Sequence, residues 1–226
     1  MPTGQVIKTY NGFYYVLAEG EKLTMESALV SCRLRGRIKR DKGAVVTGDM
    51  VRYELLADGT GIIEQCLPRR SMLHRPAVAN IDQVIITFAI KEPDVNSLLL
   101  NRFLVLAEWS DIPEIVICFN KTDLLSVGNE EIVEPYKEAG YRVVFASAHE
   151  KTGIDELKLL LKGKVTAFAG PSGVGKSSLL NAIDKNLSLT TGVISEKIKR
   201  GKHTTRAACL LPVSSGGIVV DTPGFS

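Results

Sequence analysis

Cysteine is scarce and scattered in this 226-residue chain: Cys32, Cys66, Cys118 and Cys209 form no Cys-x-x-Cys pair and no Cys/His cluster. That spacing excludes a disulfide-stapled framework and a zinc site within these residues. All four read as reduced packing residues, Cys118 as a thiol inside an apolar strand. Long apolar runs are missing too, and none approaches the roughly 20 residues that span a bilayer. The first residues, MPTGQVIKTY, carry neither the apolar core nor the cleavage site of a signal peptide. No internal repeat and no low-complexity tract is present. What remains is an ordinary globular composition, 45% apolar and 23% charged, which suffices to bury a core. The expectation is a soluble cytoplasmic monomer of one large or two modest domains, with no membrane association.

Net charge is only +3, but it is unevenly spread. Residues 1–76 hold 12 Lys and Arg against 8 Asp and Glu, while the remainder holds 16 against 17. The positive excess belongs to the N-terminal part.

That part, residues 4–67, reads as short strands broken by turns. Asn11-Gly12 in TYNGFYYV is a strong hairpin signal, and Asp58-Gly59 lies between GDMVRYELL and GIIEQCL. About five short strands without a convincing helix suggest a small all-β barrel over 1–67, of the OB type or, as the alternative, SH3-like. PRRSMLHRP is basic and bounded by prolines, so residues 68–80 read as a linker. From 81 to 226 apolar strands alternate with helical segments, the pattern of an α/β domain with a mostly parallel sheet.

The chemistry sits in this second part. Gly170, Pro171, Ser172, Gly173, Val174, Gly175, Lys176 and Ser177 match G-x-x-x-x-G-K-[ST] in full, followed by Ser178 and an apolar helix. Glycines let backbone N–H groups wrap phosphates closely, and the helix N-terminus adds partial positive charge. Lys176 is expected to reach the β- and γ-phosphates, and the Ser177 hydroxyl to hold Mg²⁺.

The base is selected elsewhere. Asn120-Lys121-Thr122-Asp123 ends an apolar strand, and an Asp there can accept from guanine N1–H and its 2-amino group. Adenine offers neither donor. Hydrogen bonds to a charged group contribute about 1.5–3 kcal/mol each, so two imply a preference for GTP over ATP of roughly 10²–10⁴. Ser147-Ala148, ending YRVVFAS, fits the loop whose backbone N–H meets guanine O6. Asp221-Thr222-Pro223-Gly224 follows the apolar strand GIVV, placing Asp221 to bind a water of the Mg²⁺ shell and the Gly224 N–H to sense the γ-phosphate. Within GKHTTRAA, Thr205 is the candidate Mg²⁺ ligand when GTP is bound.

Read along the chain, the order is NKTD, SA, phosphate loop, HTT, DTPG. An ordinary GTPase has the phosphate loop first, and one order is a cyclic rotation of the other. Because domain termini lie at the surface and often close together, such a permutation leaves the pocket intact.

This rotated order, the basic barrel before it, and GPSGVGKSSLLN, GKHTT and DTPGF together closely resemble the ribosome small-subunit-dependent GTPase A (RsgA) family. The resemblance covers nearly the whole chain. It implies GTP hydrolysis to GDP and phosphate during late assembly of the 30S ribosomal subunit, stimulated by that subunit, and a barrel that meets 16S rRNA. It also implies a C-terminal zinc-binding domain, with Cys/His ligands beyond residue 226.

Phe225 stands where many GTPases carry the Gln that orients water, which predicts slow intrinsic turnover and activation by a partner. His203 is the candidate substitute, with a solvated loop histidine as the alternative. In CRLRGRIKRDK, the residues Arg33, Arg35, Arg37 and Lys39 recur at a spacing of two, which on a strand puts all four on one face. Such a row is an RNA-binding surface or a solvated strand face. The neighbouring Tyr10, Phe13, Tyr14 and Tyr15 stack on bases or fill the barrel. A second functional class, a GTP-dependent RNA-binding module in which hydrolysis is incidental, shares all these residues.

Overall fold

The computed structural model describes residues 1–36, 45–74, 77–125, 130–187, 189 and 208–221. Five strands build the N-terminal part: β1 (Thr3–Tyr10), β2 (Phe13–Ala18), β3 (Val30–Leu34), β4 (Met50–Leu55) and β5 (Gly61–Cys66). They pair in the order β1-β2-β3-β5-β4, and β4 returns to β1, so the barrel closes. Both expected turns form. Asn11 and Gly12 take positive φ at the β1–β2 hairpin, and Asp58 accepts the Thr60 N–H at 2.9 Å between β4 and β5. Val6, Val16, Cys32, Val51, Tyr53 and Ile63 fill the interior.

The described residues of the 68–80 segment pair with one another and with carboxylates outside it. β6 (Met72–His74) and β7 (Ala77–Ala79) form a hairpin, Arg69 pairs with buried Asp49 at 2.7 Å, and Arg70 pairs with Asp82 at 3.1 Å. Proline and basic residues are visible in the sequence, but the carboxylates that neutralise them are not adjacent to them.

The remaining strands are β8 (Gln83–Ala89), β9 (Glu114–Asn120), β10 (Arg142–Phe145), β11 (Val165–Ala169), β12 (Cys209–Val213) and β13 (Gly217–Asp221). Spatially they run β10-β9-β8-β11-β13-β12; neighbours are parallel except β12 and β13, which form an antiparallel hairpin. Among the described residues four α-helices intervene: α1 (Ser97–Trp109), α2 (Glu130–Glu138), α3 (Ile154–Leu161) and α4 (Lys176–Ile183). Asn96 caps α1 by accepting the Leu99 N–H at 2.9 Å.

Strand periodicity separates two layers of core. On one face Ile86, Phe88, Ile117 and Phe119 meet Leu100 and Leu104 of α1 and Tyr136 of α2. On the other, Ile85, Val116 and Cys118 meet Leu157 and Leu161 of α3 and Leu179 and Ile183 of α4. Both faces are covered, which is why β8 is buried along its whole length and reads as an unbroken apolar run. Burying each such aliphatic side chain contributes about 1.5–3 kcal/mol. Cys118 is fully enclosed, and burial pushes its thiol up to about 12, in line with a packing role.

The barrel is not a detached module. Lys8 of β1 pairs with Cys209 of β12, joining eleven of the thirteen described strands into one sheet, and Ile7 and Leu17 of the barrel belong to the same apolar cluster as Ile86 and Phe88. Among the described residues no helix is long and apolar enough to cross a membrane.

Candidate nucleotide-binding site

β11 runs out at Ala169 and the chain turns through residues 170–175 into α4, so the loop opens at the carboxyl edge of the sheet. Two of its glycines are required by close approach. A Cβ on Gly170 would lie 2.0 Å from the Thr87 carbonyl oxygen, and one on Gly175 would lie 2.4 Å from the Asn120 amide nitrogen. Val174 anchors the loop in the core, whereas Ser172 and Gly173 are exposed and Ser177 and Ser178 half-buried.

Lys176 folds back over the loop, donating to the carbonyls of Gly170 at 2.6 Å and Pro171 at 2.8 Å. Those are neutral acceptors. Desolvation by burial brings its ammonium down to about 8. A cation held this way is suited to phosphate oxygens, which would replace the carbonyls and restore its charge.

Asn120 connects three of the sequence motifs. It is buried at the end of β9, donates its side-chain amide to the Val174 carbonyl at 2.8 Å, and accepts the Ala148 N–H at 3.3 Å. NKTD, SA and the phosphate loop thus converge on one side chain. Lys121 follows in a left-handed conformation and donates through Nζ to the Glu92 carbonyl. Thr122 begins a single 3₁₀ turn, tied back by its N–H to the Ala146 carbonyl at 3.2 Å.

Asp123 is exposed in this turn. The Ser147 hydroxyl donates to it and holds its carboxyl below the usual range, keeping it an acceptor. Ser147 is itself buried and accepts the Glu150 N–H at 3.0 Å, so its hydroxyl direction is set. The expectation for Ser147-Ala148 concerned a backbone N–H, whereas here it is the Ser147 side chain that contacts the NKTD loop. Two further contributors were not singled out by sequence: the Thr87 carbonyl behind Gly170 and the Glu92 carbonyl beside Lys121. A backbone acceptor carries no residue-type signature, so no pattern announces either.

Asp221 closes β13, one residue beyond a parallel register that sets Val220 beside Ala167 of β11. The carboxylate therefore stands at the same sheet edge from which the phosphate loop departs. The Ser177 hydroxyl and the Asp221 carboxylate are hard oxygen donors of the kind that suits Mg²⁺, an ion that takes few protein ligands and keeps water and phosphate for the rest. His203, Thr205 and Gly224 lie outside the described residues.

The RsgA GTPase family profile matches residues 66–226, and the profile of the RsgA N-terminal domain matches residues 3–63. The chain belongs to the RsgA GTPase family. A small ribosomal subunit biogenesis GTPase RsgA from Moorella thermoacetica is 49% identical over 99% of this chain and 74% of its own length. One from Agathobacter rectalis is 45% identical over 99% of this chain and 76% of its own. Among solved structures, YjeQ from Thermotoga maritima superposes with a TM-score of 0.78 at 37% identity, over all of this chain and 75% of that one. YloQ, described as a circularly permuted GTPase, superposes at 0.75 and 37% identity, over all of this chain and 72% of that one. RsgA family membership makes the chain a GTPase, and its rotated motif order agrees with the description of YloQ.

The candidate RNA face of this RsgA family member is described only in part. β3 ends at Leu34, so of the four expected cations only Arg33 lies on the strand; Arg35 follows it, and Arg37 and Lys39 lie outside the described residues. Arg33 and Arg35 share an exposed face with buried Cys32 opposite. The two are not equivalent. Arg33 stacks over Phe13 at 4.7 Å, while Arg35 pairs with Glu64 at 2.6 Å. Both line a groove of about 550 Å³ with Leu34, Leu56 and Ile62, on the barrel and not at the phosphate loop. Tyr14 packs against the barrel core, the second of the two roles expected for these aromatics, whereas Tyr10 is exposed.

Proposed function

We propose that this chain binds GTP with Mg²⁺ and hydrolyses it to GDP and phosphate on the small ribosomal subunit, as a monomer in the cytoplasm, late in assembly of that particle. The observation that carries the nucleotide reading is the meeting of the Val174 carbonyl and the Ala148 N–H on the buried Asn120 side chain. The names of the relatives, small ribosomal subunit biogenesis GTPases, support the ribosomal part.

In this reading Asp123 accepts from guanine N1–H and the 2-amino group, the Lys121 stem lies along the base, and the Ala148 N–H turns to guanine O6. The loop amides from Gly170 to Ser178 cradle the phosphates, and Lys176 reaches the β- and γ-oxygens. Ser177, Asp221 and Thr205 would hold Mg²⁺, which when bound neutralises charge on those oxygens. The Gly224 N–H faces the γ-phosphate, and His203 orients the attacking water in place of the missing Gln.

The barrel meets 16S rRNA through Arg33, Arg35, Arg37 and Lys39. Its closed order, with β3 and β5 parallel, supports an OB-type assignment. The unit boundaries in this reading are 1–67, 68–80 and 81–226.

Steady-state GTP turnover with and without purified 30S subunits tests the proposal. Slow turnover that rises by orders of magnitude on adding subunits is expected. Turnover that subunits leave unchanged would reassign the chain to a GTP-dependent RNA-binding module.

A further inference from the structure

The barrel and the nucleotide-binding part are joined by a side-chain hydrogen bond at an informative place. Thr47 is 2% exposed, and its hydroxyl donates to the Ala208 carbonyl at 2.9 Å. Ala208 is buried and is the first described residue after the segment that carries His203 and Thr205. Cys209, the next residue, stands opposite Lys8 of β1 on one side and opposite Asp221 of β13 on the other. One rung of the sheet therefore links the barrel, the exit of the HTT segment and the first residue of DTPG. The β1–β12 ladder registers only that pair, and the Thr47 hydroxyl satisfies the adjoining carbonyl of Ala208.

Position 47 is held on several other sides. Its carbonyl accepts the Ala79 N–H at 2.9 Å, and the Gly48 N–H donates to the Val6 carbonyl at 2.7 Å. Gly48 has φ +89°, and a Cβ there would lie 2.1 Å from the Ala79 carbonyl oxygen. Asp49 receives Arg69 at 2.7 and 2.8 Å and the Val46 N–H at 2.7 Å, and Asn80 donates to the Gly48 carbonyl at 2.9 Å. A threonine so bounded does not reorient by itself. A displacement of Ala208 must either break the bond or carry the 45–49 turn with it, because packed elements shift as units.

We propose that Thr47 is a positioning residue for GTP hydrolysis, coupling the barrel's 45–49 turn to Ala208 and, through the Cys209–Asp221 pair of the next rung, to the end of β13, so that a partner held by the barrel biases the nucleotide site. Coupling of this kind is reciprocal in binding, so the nucleotide also biases the barrel. The proposal rests on the ribosome-linked GTPase reading above and adds the hydroxyl through which the two parts communicate.

Thr47→Val keeps the side-chain shape and removes the donor, while Thr47→Ser keeps the donor. The 30S-stimulated kcat is expected to fall about fivefold or more in Thr47→Val, with KM and nucleotide affinity within about twofold of wild type and Thr47→Ser close to wild type. In the wild-type chain, amide hydrogen exchange at Gly48 and Ala79 is expected to differ between the GDP state and the state with a non-hydrolysable GTP analogue. Wild-type turnover unmoved by 30S subunits would defeat the underlying reading and this proposal with it. A stimulated wild type matched by an equally stimulated Thr47→Val overturns the coupling alone. Should Thr47→Val fail to fold, the exchange measurement decides, and identical protection in both nucleotide states overturns the proposal.

Discussion

The side-chain amide of Asn120 donates to the backbone carbonyl of Val174 at 2.8 Å, although 54 residues separate them along the chain. Gly175 makes room for that contact, since a Cβ there would collide with the same amide nitrogen. This bond ties the NKTD loop directly to the phosphate loop. Asn120→Ala removes the donor and leaves buried backbone groups without their partner, so the nucleotide-free protein should lose about 1–3 kcal/mol of stability. GTP and GDP affinities should fall together by tenfold or more, about 1.4 kcal/mol, because the defect lies in the shared part of the pocket. Denaturant unfolding and titration calorimetry check the two expectations. A loss confined to GTP would show that the bond does not organise the base site.

Asp123 offers a sharper test of base choice. Replacing it with Asn exchanges a two-acceptor carboxylate for one acceptor and one donor. Guanine then meets a donor where it needs an acceptor, whereas xanthine, with a carbonyl in place of the 2-amino group, is matched. Asp123→Asn should lower GTP affinity by about 10²-fold or more and raise that for xanthosine triphosphate correspondingly. Competition binding with the two nucleotides reads this directly, and unchanged GTP affinity removes Asp123 from the site.

Lys176 gives a pH dependence whose sign can be worked out. Burial lowers its folded value to about 8 from an ordinary 10.5. Between those values the unfolded chain binds more protons, so the stability of the nucleotide-free protein rises with pH there. Phosphate pairing raises the value again, so nucleotide binding above about pH 8 takes up as much as one proton, and affinity weakens as pH rises. Calorimetry in buffers of different ionisation enthalpy measures that uptake. Lys176→Met should abolish the Lys-linked part of the pH slope and leave any contribution of the nucleotide itself.

On the barrel, Arg33 and Arg35 should behave differently despite their shared face. Arg35 is already neutralised by Glu64, whereas Arg33 rests on the Phe13 ring with its charge available. Arg33→Ala should weaken binding to 30S subunits and reduce the slope of log affinity against log salt by about 1. Arg35→Ala should change that slope less. Equal effects from both would show that the Glu64 pair opens on binding.

The chemistry-bearing motifs were legible in the sequence because they are local. A phosphate loop needs glycines and a lysine at fixed offsets, and a strand covered on both faces, such as Gln83–Ala89, reads as an unbroken apolar run. Asn11-Gly12 announced its hairpin for the same reason: two adjacent residues with positive φ make the turn. The row from Arg33 to Lys39 was less informative, since spacing cannot tell where a strand stops, and here β3 stops at Leu34.

What only the tertiary structure decided is how these pieces are joined. Thr47 on Ala208, Arg69 on Asp49 and Lys8 opposite Cys209 are pairings between residues distant in the chain, and none has a period or a neighbour to reveal it. Each depends on two backbones arriving at the same point, which is a property of the completed sheet. Residue types therefore specified which chemical groups the loops carry, while the fold alone determined that the barrel shares a strand ladder with them.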